Sequence, residues 1–329
     1  MKKEKIAEII ETCLRENPCE AEVRYNEPMK DHTTFKVGGK ADCWVCPDGE
    51  GFTNFCAALL NRAKRENIPV FILGGGANIV VSDKGIRGIV LDMSMWHGES
   101  VWALCANNNE LILKSGTSID EAADIAAAEC FTGFEFLAGM PGTIGGAVWM
   151  NARCYGKEMS DVLQWVEILV NEESDNKEYV VKRMEISSDS QLPTLNFGYK
   201  LSPFQKMDCL ILSAAFKLQK GDKEKILTEM EKNRQDRQDK GHYLFPCAGS
   251  VFKNNHEFGK PTGQIIDELG LKGLKTGGAQ IASFHGNIII NADNATANDI
   301  RALTDEVASR VKKAAGFELE TEILFVGEF

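Results

Sequence analysis

Three segments of this chain combine residue types and spacings that suit chemistry. The first is Gly74-Gly75-Gly76-Ala77-Asn78, entered from the β-rich run Val70–Leu73. Consecutive glycines let a backbone turn tightly and bring its N–H groups against an anion such as a pyrophosphate. A dinucleotide-binding GxGxxG loop would need glycine at position 79, where Ile79 stands, and a helix after it, where another β-rich run follows. Walker A spacing is absent as well. Taken alone, the loop reads as an anion cradle or as a plain glycine turn between strands. The second segment, 138–151, sets four glycines and a proline among apolar residues. That composition makes a poor helix and a poor strand, and it suits backbone packed directly on a planar ligand or on another backbone. Two such segments point to a large phosphate-bearing cofactor. The third segment is Ala248-Gly249-Ser250-Val251-Phe252-Lys253-Asn254. It is not a hydrolase nucleophile elbow, because GxSxG would need glycine at 248 and 252. Ser250 reads as a turn residue unless its role is one that needs no histidine base.

The elements that must position these segments follow from periodicity. Ile6, Ile9, Ile10 and Leu14 recur at helical spacing over 4–16. Val-, Ile- and Leu-rich runs predict strands at 70–73, 79–81, 88–93, 110–115, 166–170, 179–184 and 209–218. A helix is predicted over 118–130, with Ser118 and Glu121 as a capping box, and another within 220–240. Further on come a helix over 262–269 ended by Gly270, a strand over 287–291, and a helix over 296–315 capped by Thr296 and Gly316. The alternation of 317–326 predicts a closing strand with Glu318, Glu320 and Glu322 on one face. Strand and helix signals do not alternate regularly, so the fold class is α+β and not a βαβ parallel sheet. Boundaries fall near 34/35 and 219/220. At 329 residues, two domains are expected.

Composition narrows the function classes. Thirty-seven basic against forty-eight acidic residues give a net charge of −11, which argues against a nucleic-acid or anionic-membrane scaffold. No stretch reaches the roughly 18 uninterrupted apolar residues of a membrane helix. The N-terminus lacks a signal-peptide core, so a cytoplasmic location is expected. Ten cysteines are scattered through apolar runs, where thiols act as small hydrophobes. The one CxxC, Cys43 to Cys46, has no second pair, and no metal is expected.

Together the segments resemble the UDP-N-acetylenolpyruvoylglucosamine reductases, also called UDP-N-acetylmuramate dehydrogenases, of bacterial peptidoglycan precursor synthesis. The resemblance runs in order through HTTFKVGGKAD (32–42), ILGGGANIVVSDKGIRGIVL (72–91), GFEFLAGMPGTIGGAVWMNARCYG (133–156), FGYKLSPF (197–204), CAGSVFKNN (247–255), GQIIDELGLKG (263–273), GGAQI (277–281), NIIINADNATANDI (287–300) and ELETEILFVG (318–327). It implies an N-terminal helix and connection (1–34), an FAD-binding region of the PCMH type (35–219) and a smaller α+β substrate-binding domain (220–329). FAD is held without a covalent bond: Gly74, Gly75, Gly76, Ala77 and Asn78 cradle its pyrophosphate, and Gly142, Gly145 and Gly146 line it. Arg87 is either a further contact or a surface residue. NADPH is the hydride donor and leaves before the enolpyruvyl ether of UDP-N-acetylglucosamine enters. A hydride then reaches the terminal vinyl carbon, a proton reaches the carbon beside the carboxylate, and UDP-N-acetylmuramate results. The same resemblance makes Ser250 the proton donor and Glu322 its assisting carboxylate. Tyr199 and Asn254 become substrate contacts, and Lys253 a contact for pyrophosphate or carboxylate. The implied roles are cell-wall biogenesis and, through it, cell shape and division; the sequence does not give the oligomeric state, and a monomer is favoured.

Two departures stand out. The family's catalytic arginine follows the tyrosine of GYR, and here that place holds Lys200. Lysine keeps the charge and loses the planar fork that suits a carboxylate. The usual Asn-Ala-Gly-Ala-Tyr-Gly reads here Asn151-Ala-Arg153-Cys-Tyr-Gly156, so Arg153 either supplies the missing guanidinium or is a surface residue. Only 45 residues separate Phe204 from Ser250, which implies the shorter type of reductase without a mobile tyrosine-bearing loop. The competing classes are an FAD-dependent oxidase of the same cofactor fold and an inactive nucleotide-sugar-binding homologue. If the flavin is non-covalent, acid precipitation should carry the yellow colour into the supernatant. Colour that stays in the pellet would contradict it.

Overall fold

In the computed structural model, which describes residues 2–96, 102–105, 109–171, 178–186 and 196–329, the chain divides into two units. The first comprises 1–25, 43–75 and 88–234, and the second 26–42, 76–87 and 235–329. The division is interleaved where contiguous boundaries were expected at 34/35 and 219/220. Pairing of distant segments explains this. Strand Leu324–Val326 runs parallel to Ile79–Val81, so 76–87 joins the C-terminal residues.

The first unit is organised by a five-stranded antiparallel sheet. Its order is Tyr179–Glu185, Leu163–Asn171, Cys209–Lys217, Glu110–Lys114, Trp102–Cys105. Its central strands are apolar on both faces, as strands covered on both sides must be. Val166, Ile168 and Val170 face one core, and Leu169 faces another, the alternation a strand imposes. The second of these cores is closed by helix α1, Lys2–Glu16, and helix α2, Phe52–Arg65, which contribute Ile6, Ile9, Ile10, Phe52, Phe55 and Leu59. The other is closed by α3, Ile119–Ala128, through Ala122, Ala123, Ala126 and Ala127, and by α4, Ile144–Met150. A second sheet, in the order Glu20–Pro28, Lys40–Asp48, Ile86–Asp92, Val70–Leu73, contains three strands within which the chain crosses the unit division. Helix α5, Lys223–Asp239, crosses it too.

The second unit has a four-stranded sheet in the order Cys247–Ser250, Ile288–Asn291, Ala279–Ile281, Lys275–Thr276. Helices α6, Thr262–Glu268, and α7, Ala297–Ala315, pack on it. The sequence signals of α7 hold in full. Thr296 and Asp299 form a reciprocal capping box, Gly316 ends the helix at φ +76°, and Ile300, Leu303, Val307 and Val311 are buried. Asp83 adds a second cap, its carboxylate accepting from Ala297 and Asn298 N–H at 2.8 and 3.0 Å. A carboxylate at a helix N-terminus is favoured by the dipole as well as by the hydrogen bonds.

Three local expectations fail. Ser118 is the N-cap residue of α3, but its side chain makes no capping bond; its backbone forms an isolated β-bridge with that of Thr143. The glycine-rich stretch does form a helix, the seven-residue α4, because Ile144, Ala147 and Val148 are buried and Thr143 caps it. Tertiary burial overrides the poor glycine propensity. The closing strand is shorter than its alternation suggests, Leu324–Val326 only, and Glu318, Glu320 and Glu322 do not share one strand face.

Asn287 holds the second unit's backbone together. It is 3% exposed, donates from Nδ2 to Phe252 O at 2.7 Å and accepts Phe252 N–H at 2.9 Å. Asn287→Ala would strand two buried backbone groups, each costing about 1–3 kcal/mol. We expect stability to fall by about 2–6 kcal/mol, read as a lower urea midpoint; an unshifted midpoint would show that this clamp contributes nothing.

Candidate active site

The candidate residues fall into two groups, one in each unit. In the first unit, α4 places them. Gly145 N–H donates to Ser115 O at 2.8 Å and Ile144 N–H to Thr117 O at 2.9 Å, which fastens the start of the helix. Space decides the residue types. A Cβ on Gly75 would lie 2.7 Å from Gly142 Cα, one on Gly74 would lie 2.6 Å from Thr143 Oγ1, and one on Gly145 would lie 2.7 Å from Ser115 Cβ. Gly142 also needs glycine for its φ of +119°, whereas Gly75 needs it only for room. Gly146 is exposed on the first turn of α4.

Two residues escape sequence reading here. Ser115 and Thr117 are 2% and 0% exposed, and their hydroxyls have no partner among the described residues. Native proteins rarely leave such groups unpaired. The N–H groups of Gly74 to Asn78 also donate to no protein acceptor among the described residues. Unpaired hydroxyls, unclaimed N–H groups and glycines with no room for a side chain fit the pyrophosphate and flat ring of a flavin dinucleotide.

The C-terminal end of α4 places the other first-unit candidates. Asn151, at φ +46°, donates from Nδ2 to Gly198 O at 2.9 Å and to Glu158 Oε1 at 3.0 Å. Gly198 and Leu201 exchange two backbone bonds of 3.0 Å, so Tyr199 and Lys200 form a two-residue turn with Lys200 at φ +57°. Arg153 sits over the Tyr199 ring, 5.6 Å from its centre, and Lys200 Nζ lies 3.5 Å from Arg153 O. Glu158 is 4.0 Å from the guanidinium. The structure thus gathers Arg153, Tyr199 and Lys200 into one cationic corner.

In the second unit, Ser250 ends a strand whose register shifts between Cys247 and Ser250, next to Gly249 at φ +70°. Its hydroxyl bonds to no protein group among the described residues. Beyond it, Phe252 pairs with Thr321, Lys253 N–H donates to Glu320 O at 2.9 Å, and Glu322 N–H donates to Val251 O at 2.7 Å. This short ladder brings Glu322 to the residue next to Ser250. Asn78 reaches the same place, its Nδ2 donating to Glu322 O at 3.0 Å. In the same loop Gly76, at φ +60°, would drive a Cβ to 2.0 Å from His32 O. Asn254 accepts Thr262 N–H at the start of α6 at 2.9 Å, and Thr262 Oγ1 donates to Lys253 O at 2.8 Å. Arg87 is committed to the Asp42 carboxylate and the carbonyls of Lys40 and Lys84, which makes it structural. Burial, with Arg237 next in effect, lowers His242 to about 4, and burial likewise lowers His285. Neither histidine is charged at neutral pH.

Residues 53–173 match an FAD-binding domain family, and residues 239–326 match the C-terminal domain of UDP-N-acetylenolpyruvoylglucosamine reductase. Fold and site therefore define a flavin-dependent oxidoreductase. The reductase of Borrelia garinii subsp. bavariensis is 39% identical over 299 residues, 90% of this chain and 91% of the relative. That of Treponema denticola is 37% identical over 321 residues, 94% and 95% of the two chains. The crystal structure of the enzyme from Thermus caldophilus superposes with a TM-score of 0.70 at 30% identity, covering 94% of this chain and all of that one. The chain belongs to the UDP-N-acetylenolpyruvoylglucosamine reductase family.

Gly75→Val tests the glycine contact. The side chain must push against Gly142, and overpacking of this kind costs about 1–3 kcal/mol. FAD affinity should drop roughly tenfold or more while circular dichroism stays that of the folded chain. Full flavin occupancy would show that the contact does not shape the cofactor site.

Proposed function

We propose the following assignment of residues to the chain's reaction, the NADPH-dependent reduction of the enolpyruvyl ether of UDP-N-acetylglucosamine to UDP-N-acetylmuramate for peptidoglycan synthesis. FAD, held by Gly74 to Asn78, Gly142, Gly145, Gly146 and the Ser115 and Thr117 hydroxyls, supplies the hydride when bound. The region 35–219 carries the cofactor and 220–329 most of the substrate chemistry, and the enzyme acts as a cytoplasmic monomer of the shorter type.

Hydride addition at the terminal vinyl carbon builds negative charge beside the substrate carboxylate. That charge needs stabilisation and then a proton. Ser250 donates the proton. A serine hydroxyl is a weak acid, but the carbanion-like centre it faces is far more basic. The observation that carries this role is the Ser250 hydroxyl itself, which is committed to no protein acceptor among the described residues. Glu322, tied to Val251, assists and helps return a proton to the serine. The cationic corner of Lys200 and Arg153 takes the carboxylate charge, Arg153 supplying the planar fork that lysine lacks. Tyr199 beneath it, and Lys253 with Asn254, contact the rest of the substrate.

The two half-reactions need different residues, which makes the assignment testable. Ser250→Ala should leave bleaching of the flavin by NADPH near normal. Reoxidation by the enolpyruvyl substrate should slow by about 10²- to 10⁴-fold, the usual worth of general acid catalysis. Ser250→Cys should recover part of the rate, since a thiol also donates a proton. Stopped-flow absorbance on each half-reaction decides. Equal slowing of both steps would make Ser250 a packing residue, and no slowing would move the proton to another donor.

A further inference from the structure

We infer that Glu320 is a displaceable counter-ion: it holds the Lys253 ammonium in the free enzyme and yields it to an anionic group of the substrate. The inference rests on the reading of Lys253 as a substrate contact and deepens it.

The pair is asymmetric. Lys253 is fixed along its backbone, with its N–H on Glu320 O at 2.9 Å and its carbonyl on Thr262 Oγ1 at 2.8 Å. Thr262 is itself fully buried. The Lys253 side chain is only 25% exposed, so its stem is packed and the reach of its ammonium is set. Glu320 is its cross-strand neighbour and closes an ion pair with it, yet the Glu320 side chain is 73% exposed. One partner is held and the other can swing into water by rotating about its own bonds.

Energetics favour exchange. An exposed ion pair adds little net stability, because solvent screens it and two side chains lose freedom. A substrate with a diphosphate and a carboxylate offers a stronger, charge-assisted partner for the same ammonium. Glu320 therefore keeps Lys253 compensated while the site is empty and lowers affinity for any anion that must displace it. A carboxylate this close to an anion site otherwise opposes binding by simple repulsion. Its pairing with Lys253 gives that repulsion a use, since Lys253 is never left as a bare, half-buried charge.

The test is a binding titration of the oxidised FAD-containing enzyme, followed by the flavin absorbance change, at low and high salt. Glu320→Gln should bind the enolpyruvyl substrate about two- to five-fold more tightly at low salt, with the gain shrinking at high salt. Lys253→Met should weaken binding about tenfold or more, and adding Glu320→Gln to it should give no gain. Titration with UDP alone identifies the displacing anion: the same gain assigns the diphosphate, and a gain seen only with the full substrate assigns the carboxylate. If Lys253→Met is weakened while Glu320→Gln binds like the parent or worse, the exchange is wrong and the lysine reading stands. An equal gain in the Lys253→Met background would replace exchange by a general field effect. If Lys253→Met binds as tightly as the parent, the lysine reading fails and the exchange with it.

Discussion

The first unit depends on the approach of two glycine-rich backbones. Gly74 and Gly75 lie so close to Gly142 and Thr143 that no side chain fits between them. The hydroxyls of Ser115 and Thr117, buried beside this contact, have no protein partner among the described residues, and a folded chain completes such groups with a ligand or ordered water. The seven-residue α4 then transmits that geometry. Its start is fastened to 115–117, and the carbonyl of Trp149 in its last turn accepts from Ser202 and Gln205, which set the Tyr199–Lys200 turn. One short helix thus ties the contact of the two glycine-rich segments to the Tyr199–Lys200 turn.

The second unit solves a different problem, how to present a serine hydroxyl that nothing else claims. Side-chain amides carry the backbone there. Asn287 bonds both polar groups of Phe252, Asn78 bonds the Glu322 carbonyl, and Asn291 bonds Phe35 O at 3.1 Å. These amides bond the backbone of Phe252, Glu322 and Phe35, and the Ser250 hydroxyl has no protein partner among the described residues. The register shift between Cys247 and Ser250, with Gly249 left-handed, falls just before Ser250 pairs with Ile288.

Charge is distributed to match. The chain as a whole is acidic, with a net charge of −11, and repels anions at long range. The cations of the candidate site are local: Arg153 and Lys200 in one unit, Lys253 in the other. Arg153 has Glu158 at 4.0 Å, a carboxylate held by Asn151 and Ser160, and Lys253 pairs with the exposed Glu320.

Periodic elements were legible without any structure. Helix α7 with both its caps, the strands 70–73 and 79–81, and the α+β class all follow from local patterns, because apolar spacing and cap chemistry act over a few residues. The motifs of Ser250 and the glycine loops were legible too, since their residue types are unusual at those spacings. Tertiary structure decided the rest. Helix α4 forms against its own composition because burial outweighs propensity, and Gly75 needs glycine for a neighbour 67 positions away in the chain, not for a backbone angle. Ser118 makes no side-chain cap, and the start of α3 is fixed by a backbone bridge to Thr143, 25 positions away. Ser115, Thr117 and Asn287 look ordinary as letters. Their roles come from burial and from partners far along the chain, and no local pattern encodes which distant backbone a side chain will meet.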